Sequence, residues 1–205
     1  MNSLILSLMI SFTVDVGSSN GLYRAAVQYG GGSELITSSL TLYDAYDNVV
    51  YVKNNIIMNT FYVCDNGNVF ALNEHRLCFY RMDGSEMLLQ ELSYPNGFGF
   101  SPDNAVFFAS DKEGLFAYSD EGSLTGKYRP GRLFASTSGG GAVAIISADT
   151  LFVYRSGGLV DRQFLSSPYV HDVCFSDDGA SIVIRLPGDI RAIYDTHRRE
   201  WVEQK

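Results

Sequence analysis

The sequence predicts an all-β fold: a small β-propeller of about five four-stranded units, or alternatively four, with an extra β-strand at the N-terminus. Three observations predict it. A short apolar run closed by tyrosine recurs at a nearly constant interval, a polar turn precedes each run, and an alternating apolar segment opens the chain.

The tyrosine recurs in Leu42-Tyr43-Asp44, Phe79-Tyr80-Arg81, Ala117-Tyr118-Ser119, Val153-Tyr154-Arg155 and Ile193-Tyr194-Asp195, at intervals of 37, 38, 36 and 40 residues. Upstream turns are read at Gly30-Gly31-Gly32, Asp65-Asn66-Gly67-Asn68, Ser101-Pro102-Asp103-Asn104, Gly139-Gly140-Gly141 and Ser176-Asp177-Asp178-Gly179. Between turn and tyrosine lie runs such as Val69-Phe70-Ala71-Leu72 and Ala142-Val143-Ala144-Ile145-Ile146, which are strand-like in length and composition. A second turn follows each of the first four tyrosines, as at Asp83-Gly84 and Gly157-Gly158, where hairpins need residues that accept positive φ. Each unit therefore reads as four antiparallel strands, a sheet too small to stand alone that must stack on its copies. In the first unit, Tyr23 to Gln28 is read as the inner strand.

Every even position from Leu4 through Leu6, Leu8, Ile10, Phe12 and Val14 to Val16 is apolar, a strand pattern. Extended, this segment would reach roughly 40 Å, longer than one such sheet requires. Residues 1–17 are therefore expected to close the ring by completing the last sheet, or to pair with a neighbouring subunit by strand addition; residues 18–205 form a single propeller domain. A signal peptide is the further alternative, opposed by the lack of Lys or Arg before the apolar run. A membrane span is not expected from so short a stretch.

A length of 205 residues with 46% hydrophobic content suffices for a packed core, and 19% charged residues is too few for a disordered chain. The net charge of -8, with only Lys53, Lys112, Lys127 and Lys205 as lysines, offers no surface for phosphates and argues against nucleic acid as a partner. Abundant Ser, Gly, Tyr and Asn beside sparse Lys and Glu lean towards an extracellular setting. Cys64, Cys78 and Cys174 are too few for a disulfide framework and have no metal spacing; they read as buried apolar side chains, with a Cys64 to Cys78 bridge as the alternative. Cys64 and Cys174 are taken as equivalent positions in their units.

No catalytic signature is present. His75, His171 and His197 have no metal-ligand spacing, the aspartate-rich turns lack the calcium-loop pattern, and the glycine triplets are followed by no phosphate-loop sequence. Neither metal nor cofactor is expected. A binding rim is expected from links between units and between middle strands: Arg24, Asn59, Asn96, Arg132, His171 and Asp172.

Phe100-Ser101-Pro102-Asp103-Asn104 followed by Ala105 to Ser110 and then Gly114-Leu115-Phe116-Ala117-Tyr118 resembles the blade pattern of WD-repeat-like and YVTN-type propellers, and Phe175-Ser176-Asp177-Asp178-Gly179 repeats it. The likeness runs from about residue 22 to the end, without the Trp-Asp and Gly-His pairs of WD repeats, since Trp201 is the only tryptophan. It implies blade architecture and leaves function open. The favoured reading is a non-enzymatic structural or interaction propeller that self-assembles through its N-terminal strand, for example as an extracellular filament. The alternatives are a propeller binding a protein or carbohydrate at its rim, and a hydrolase or lactonase with a site at the channel mouth.

Overall fold

The computed structural model describes residues 10–32, 35–56 and 58–204. The expected assembly positions Leu4, Leu6 and Leu8 lie outside these residues. The chain forms two compact units, Met1–Glu91 and Leu92–Lys205.

In the first unit, β1 (Ile10–Gly17), β2 (Tyr23–Gly32), β3 (Leu35–Asp44) and β4 (Val49–Ile56) pair in chain order as an antiparallel meander. A second sheet repeats the order with β5 (Thr60–Val63), β6 (Val69–Asn73), β7 (Arg76–Tyr80) and β8 (Glu86–Glu91). The second unit holds three more such meanders. The third sheet contains β9 (Gly97–Phe100), β10 (Val106–Ser110), β11 (Leu115–Ser119) and β12 (Leu124–Tyr128). The fourth contains β13 (Leu133–Ser136), β14 (Ala142–Ser147), β15 (Thr150–Arg155) and β16 (Gly158–Phe164). The fifth contains β17 (Asp172–Phe175), β18 (Ser181–Arg185), β19 (Arg191–Asp195) and β20 (Glu200–Gln204).

The five tyrosines that set the repeat all lie in third strands, β3, β7, β11, β15 and β19. At Tyr43, Tyr118, Tyr154 and Tyr194 the pairing with the fourth strand shifts register, and the second sheet shifts between Leu77 and Cys78. Such bulges sharpen the twist that lets small sheets stack.

Alternation divides the core. In β14, Val143 and Ile145 join a cluster with Val106, Phe108 and Leu115 of the third sheet. Their neighbours Ala144 and Ile146 join Ile182, Ile184 and Tyr194 of the fifth. Both faces of the fourth sheet are thus covered, which is why its second strand reads as an unbroken apolar run rather than an alternating one. Burying a side chain such as Ile145 completely contributes about 1.5–3 kcal/mol. In the first unit, Val27, Leu40 and Leu42 pack with Phe61, Val63 and Val69 in the same manner.

The first sheet differs in length. β2 and β3 run ten residues each, against five for β6, β7, β10 and β11. Two sequence expectations change with it. Tyr23 to Gln28 belongs to the second strand, not the inner one, because β1 fills the first place in its own sheet. Gly30 to Gly32 lie inside β2, paired with Leu35 to Thr37, and are not the turn. The last sheet takes all four strands from residues 172–204, so the described part of β1 does not complete it.

The turn between first and second strands is one motif used repeatedly. The hydroxyls of Ser18, Ser101, Thr137 and Ser176 accept the N–H groups of Tyr23, Val106, Ala142 and Ser181 at 2.9–3.0 Å. Each of these residues also gives its own N–H to the carbonyl at the same position. Ser101 and Ser176 then donate to Asp103 and Asp178, both at 2.6 Å. The second sheet carries Cys64 in this place and shortens the turn by one residue, Cys64 N–H reaching the Asn68 carbonyl at 2.8 Å. Cys64 is therefore the counterpart of Ser176, not of Cys174, as the two matching Val-Cys pairs had suggested. None of the three cysteines forms a disulfide; Cys64 and Cys78 are buried, and Cys174, expected inside, is exposed on β17.

Two tests follow from these positions. At Gly131 a Cβ would overlap Ile145 and sit 2.8 Å from the Ile146 carbonyl oxygen, whereas at Gly30 it would meet nothing within 4 Å. Chemical denaturation should show Gly131→Ala losing about 1–3 kcal/mol and Gly30→Ala unchanged or slightly stabilised; a large loss at Gly30 would return it to a turn.

The Ser176 hydroxyl first, and then the Ala180 N–H, hold the Asp178 carboxyl below its ordinary value of 3.8. A carboxyl depressed in the folded state stabilises fully above its unfolded value and loses that contribution as pH falls through the lower folded one. In Ser176→Ala, carboxyl NMR should find the Asp178 midpoint moved up towards 3.8, and the loss of stability on acidification should become smaller.

Candidate functional site

The described part of the N-terminal strand borders a cleft in the first unit. β1, eight residues long, lies beside the four-residue β5. Phe12 faces Tyr29 across the β1–β2 ladder, and the rings stack with centroids 4.7 Å apart and planes 17° from parallel. Stacked cross-strand aromatics fix each other's orientation. Even so, Phe12 remains 56% exposed and Val14 38%.

The cleft measures about 470 Å³ and is mainly apolar, lined by Phe12, Val14, Val16 and Tyr29 on one side and Met58, Asn59, Thr60 and Phe61 on the other. Its remaining lining residue, Ser38, gives its hydroxyl to the Ile56 carbonyl at 2.7 Å. Burial raises the Tyr29 phenol above its usual pKa of 10. Among the described residues no charged side chain lines the cleft.

The structure brings two sets of expected residues together here, Phe12 and Val14 of the assembly strand and Asn59 of the rim. Ile10 continues the β1 pairing, opposite Gly31. The other rim residues divide. Asn59, Asn96, Arg132 and His171 hold one repeated place ahead of the first strand, each giving its N–H to the last or next-to-last carbonyl of the second strand: Leu72, Ser110, Ile146 and Arg185. Asp172 follows as the first residue of β17, its carboxylate accepting the Val173 N–H.

Arg24 does not belong with them. It is the second residue of β2, opposite Gly17 at the far end of β1, where it pairs with Asp15 at 2.5 Å and Asp47 at 3.0 Å over the Tyr43 ring. The misreading has a simple cause, since placing Arg24 at the mouth required β2 to be the inner strand. Sequence reasoning also missed Tyr29 and Met58. The pairing of Tyr29 with Phe12 depends on the β1–β2 register, and the only local signal for that register is the Ser18-Ser19-Asn20-Gly21 turn.

Among the described residues no group of three His, Cys, Asp or Glu is placed to hold a metal ion. His75, His171 and His197 are each exposed. No helix among the described residues is long and apolar enough to cross a membrane.

No family model matches the sequence, and no curated protein matches it. Solved structures do. The C-terminal WD40 domain of Sif2 aligns with 95% of this chain and 58% of its own at a TM-score of 0.61 and 12% identity. The fold is a WD-repeat-like β-propeller. A chain of the Mitotic Checkpoint Complex aligns with 72% of this chain and 50% of its own, at a TM-score of 0.54 and 13% identity. The chain thus spans about half the length of these two solved chains. Its five sheets correspond to blades, with β1 as the first strand of the first blade and the apolar cleft beside it.

The rim residues have separable roles within the blades. Asn59 accepts the Glu74 N–H at 2.6 Å and so braces the β6–β7 turn, in which Glu74 takes a positive φ. Asn96 is exposed. Thermal denaturation should show Asn59→Ala losing about 1 kcal/mol and Asn96→Ala within about 0.5 kcal/mol of the parent; equal losses would refute the bracing role.

Proposed function

We propose that this chain is a non-catalytic protein-interaction propeller that receives an apolar segment of a partner in the cleft beside β1. The observation that carries the reading is Phe12, held in a fixed orientation by Tyr29 yet more than half exposed at the rim of an apolar cleft. An oriented aromatic at the edge of a concave apolar surface loses little entropy when covered, the usual chemistry of a binding hot spot. The likeness to a propeller solved in the Mitotic Checkpoint Complex accords with this reading.

A second reading has a specific observation in its favour. β1 stands at the end of its sheet and is eight residues long, against four for β5, β9, β13 and β17, and the alternating apolar sequence runs on to Leu4. A second copy could use that edge by strand addition, giving the self-assembly and filament reading. An extracellular setting belongs to this reading.

Selection of a displayed peptide library against the intact chain tests the first reading. Enriched peptides should be apolar, and Phe12→Ser should weaken them by at least about tenfold while leaving circular dichroism unchanged. Peptides indifferent to Phe12→Ser would overturn it. For the second reading, residues 2–9 rather than 2–16 are the segment to delete, because residues 10–17 are the first strand of the first blade. Sedimentation velocity showing a monomer at every concentration would eliminate it.

A further inference from the structure

The second unit contains a larger cavity, about 610 Å³, where the first-to-second-strand turns of the third, fourth and fifth sheets come together. Its volume is that of an ordinary ligand pocket. Phe100 and Phe175 line it together with Asp177 and Asp178, and among the described residues no basic residue contributes to the lining.

The two carboxylates are not equivalent. Asp178 is committed to its own turn, accepting the Ser176 hydroxyl at 2.6 Å and the Ala180 N–H at 2.9 Å. Asp177, one residue earlier, is exposed and has no hydrogen-bond or ion-pair partner among the described residues. The turn thus fixes the backbone through one carboxylate and leaves the other at the cavity wall. Nearby cations of the chain do not fill this place. Arg155 donates to the Thr196 hydroxyl at 2.7 Å, and Arg185 and Arg191 act on Cys174 only through space, without lining the cavity.

We propose that this cavity accepts an arginine side chain presented by a partner peptide. The occupant follows from charge and shape. Aromatic faces attract a cation, and a flat guanidinium can lie against a ring while directing paired N–H donors at a carboxylate. An ammonium matches only the charge. The wall offers both ring and carboxylate, and the chain's net charge of -8 favours the approach of a basic segment. The site is separate from the cleft beside Phe12 and stands or falls independently of it.

The test is titration of the full chain, by NMR or calorimetry, with acetyl-Gly-Arg-Gly-amide and with the same peptide carrying lysine or glutamine in the centre. The arginine peptide should bind saturably and weaken with added salt, the lysine peptide should bind several-fold more weakly, and the glutamine peptide should not bind. Asp177→Asn, on an exposed turn, should reduce arginine-peptide affinity about tenfold, and Phe175→Leu should also reduce it. Phe12→Ser should leave binding unchanged. Lysine binding as tightly as arginine, glutamine binding equally, or Asp177→Asn without effect would each overturn the proposal.

Discussion

The structure depends on one constraint, that a four-stranded sheet this small has two apolar faces and no means of covering either. β14 shows how the constraint is met. Its odd-numbered residues Val143 and Ile145 belong to the cluster shared with the third sheet, and its even-numbered residues Ala144 and Ile146 to the cluster shared with the fifth. No sheet owns a core. Each core lies between sheets, so stability in such a repeat is a property of adjacent pairs. The outer strands, with neighbours on fewer sides, are correspondingly polar, as in the alternately exposed β8 and β16.

The turns repeat for a related reason. Close packing fixes where each first strand ends and each second begins, and the connecting residues must satisfy their own N–H groups in little space. Ser or Thr at the head of the turn does so with one hydroxyl. Neighbouring turns also support one another. Asp65 accepts the Ser19 hydroxyl and the Asn20 N–H, and Asp103 accepts the Gly139 N–H at 2.6 Å. Within the aspartate-rich turns, Asp44 accepts the Tyr46 and Asn48 N–H groups, and Asp178 accepts the Ser176 hydroxyl and the Ala180 N–H.

The fold was legible because its marks recur locally. Tyr43, Tyr118, Tyr154 and Tyr194 are next to last in their third strands and Tyr80 is last in its own, and the turns headed by Ser101 and Ser176 lie where their sequence implied. The first blade was misread because the doubled length of β2 and β3 moves its true turn, headed by Ser18, out of phase with the tyrosine count, and Gly30 to Gly32 happened to fall nearer the expected interval. The site was only partly legible. Alternation marked Phe12 and Val14, and link position marked Asn59, but their convergence depends on β1 running beside β5, a pairing of edges that no local pattern encodes. Arg24 was misplaced by the same slip, since one strand's displacement carries its residues to the opposite end of the sheet.

The long β2–β3 hairpin gives the first blade an unequal division of labour. Ala25, Val27, Leu40 and Leu42 in its lower half are buried in the core, while Tyr29 in its upper half helps form the cleft. Ladder geometry lets such a hairpin grow or shrink only by matched residues on both strands, with two-residue steps preserving which side chains face which way. The upper half can therefore drift in length and composition without unsettling the stacked sheets below. In evolutionary terms the first blade is where this fold can explore new surfaces at little risk to its frame, and the same freedom makes it a natural place to graft a recognition element.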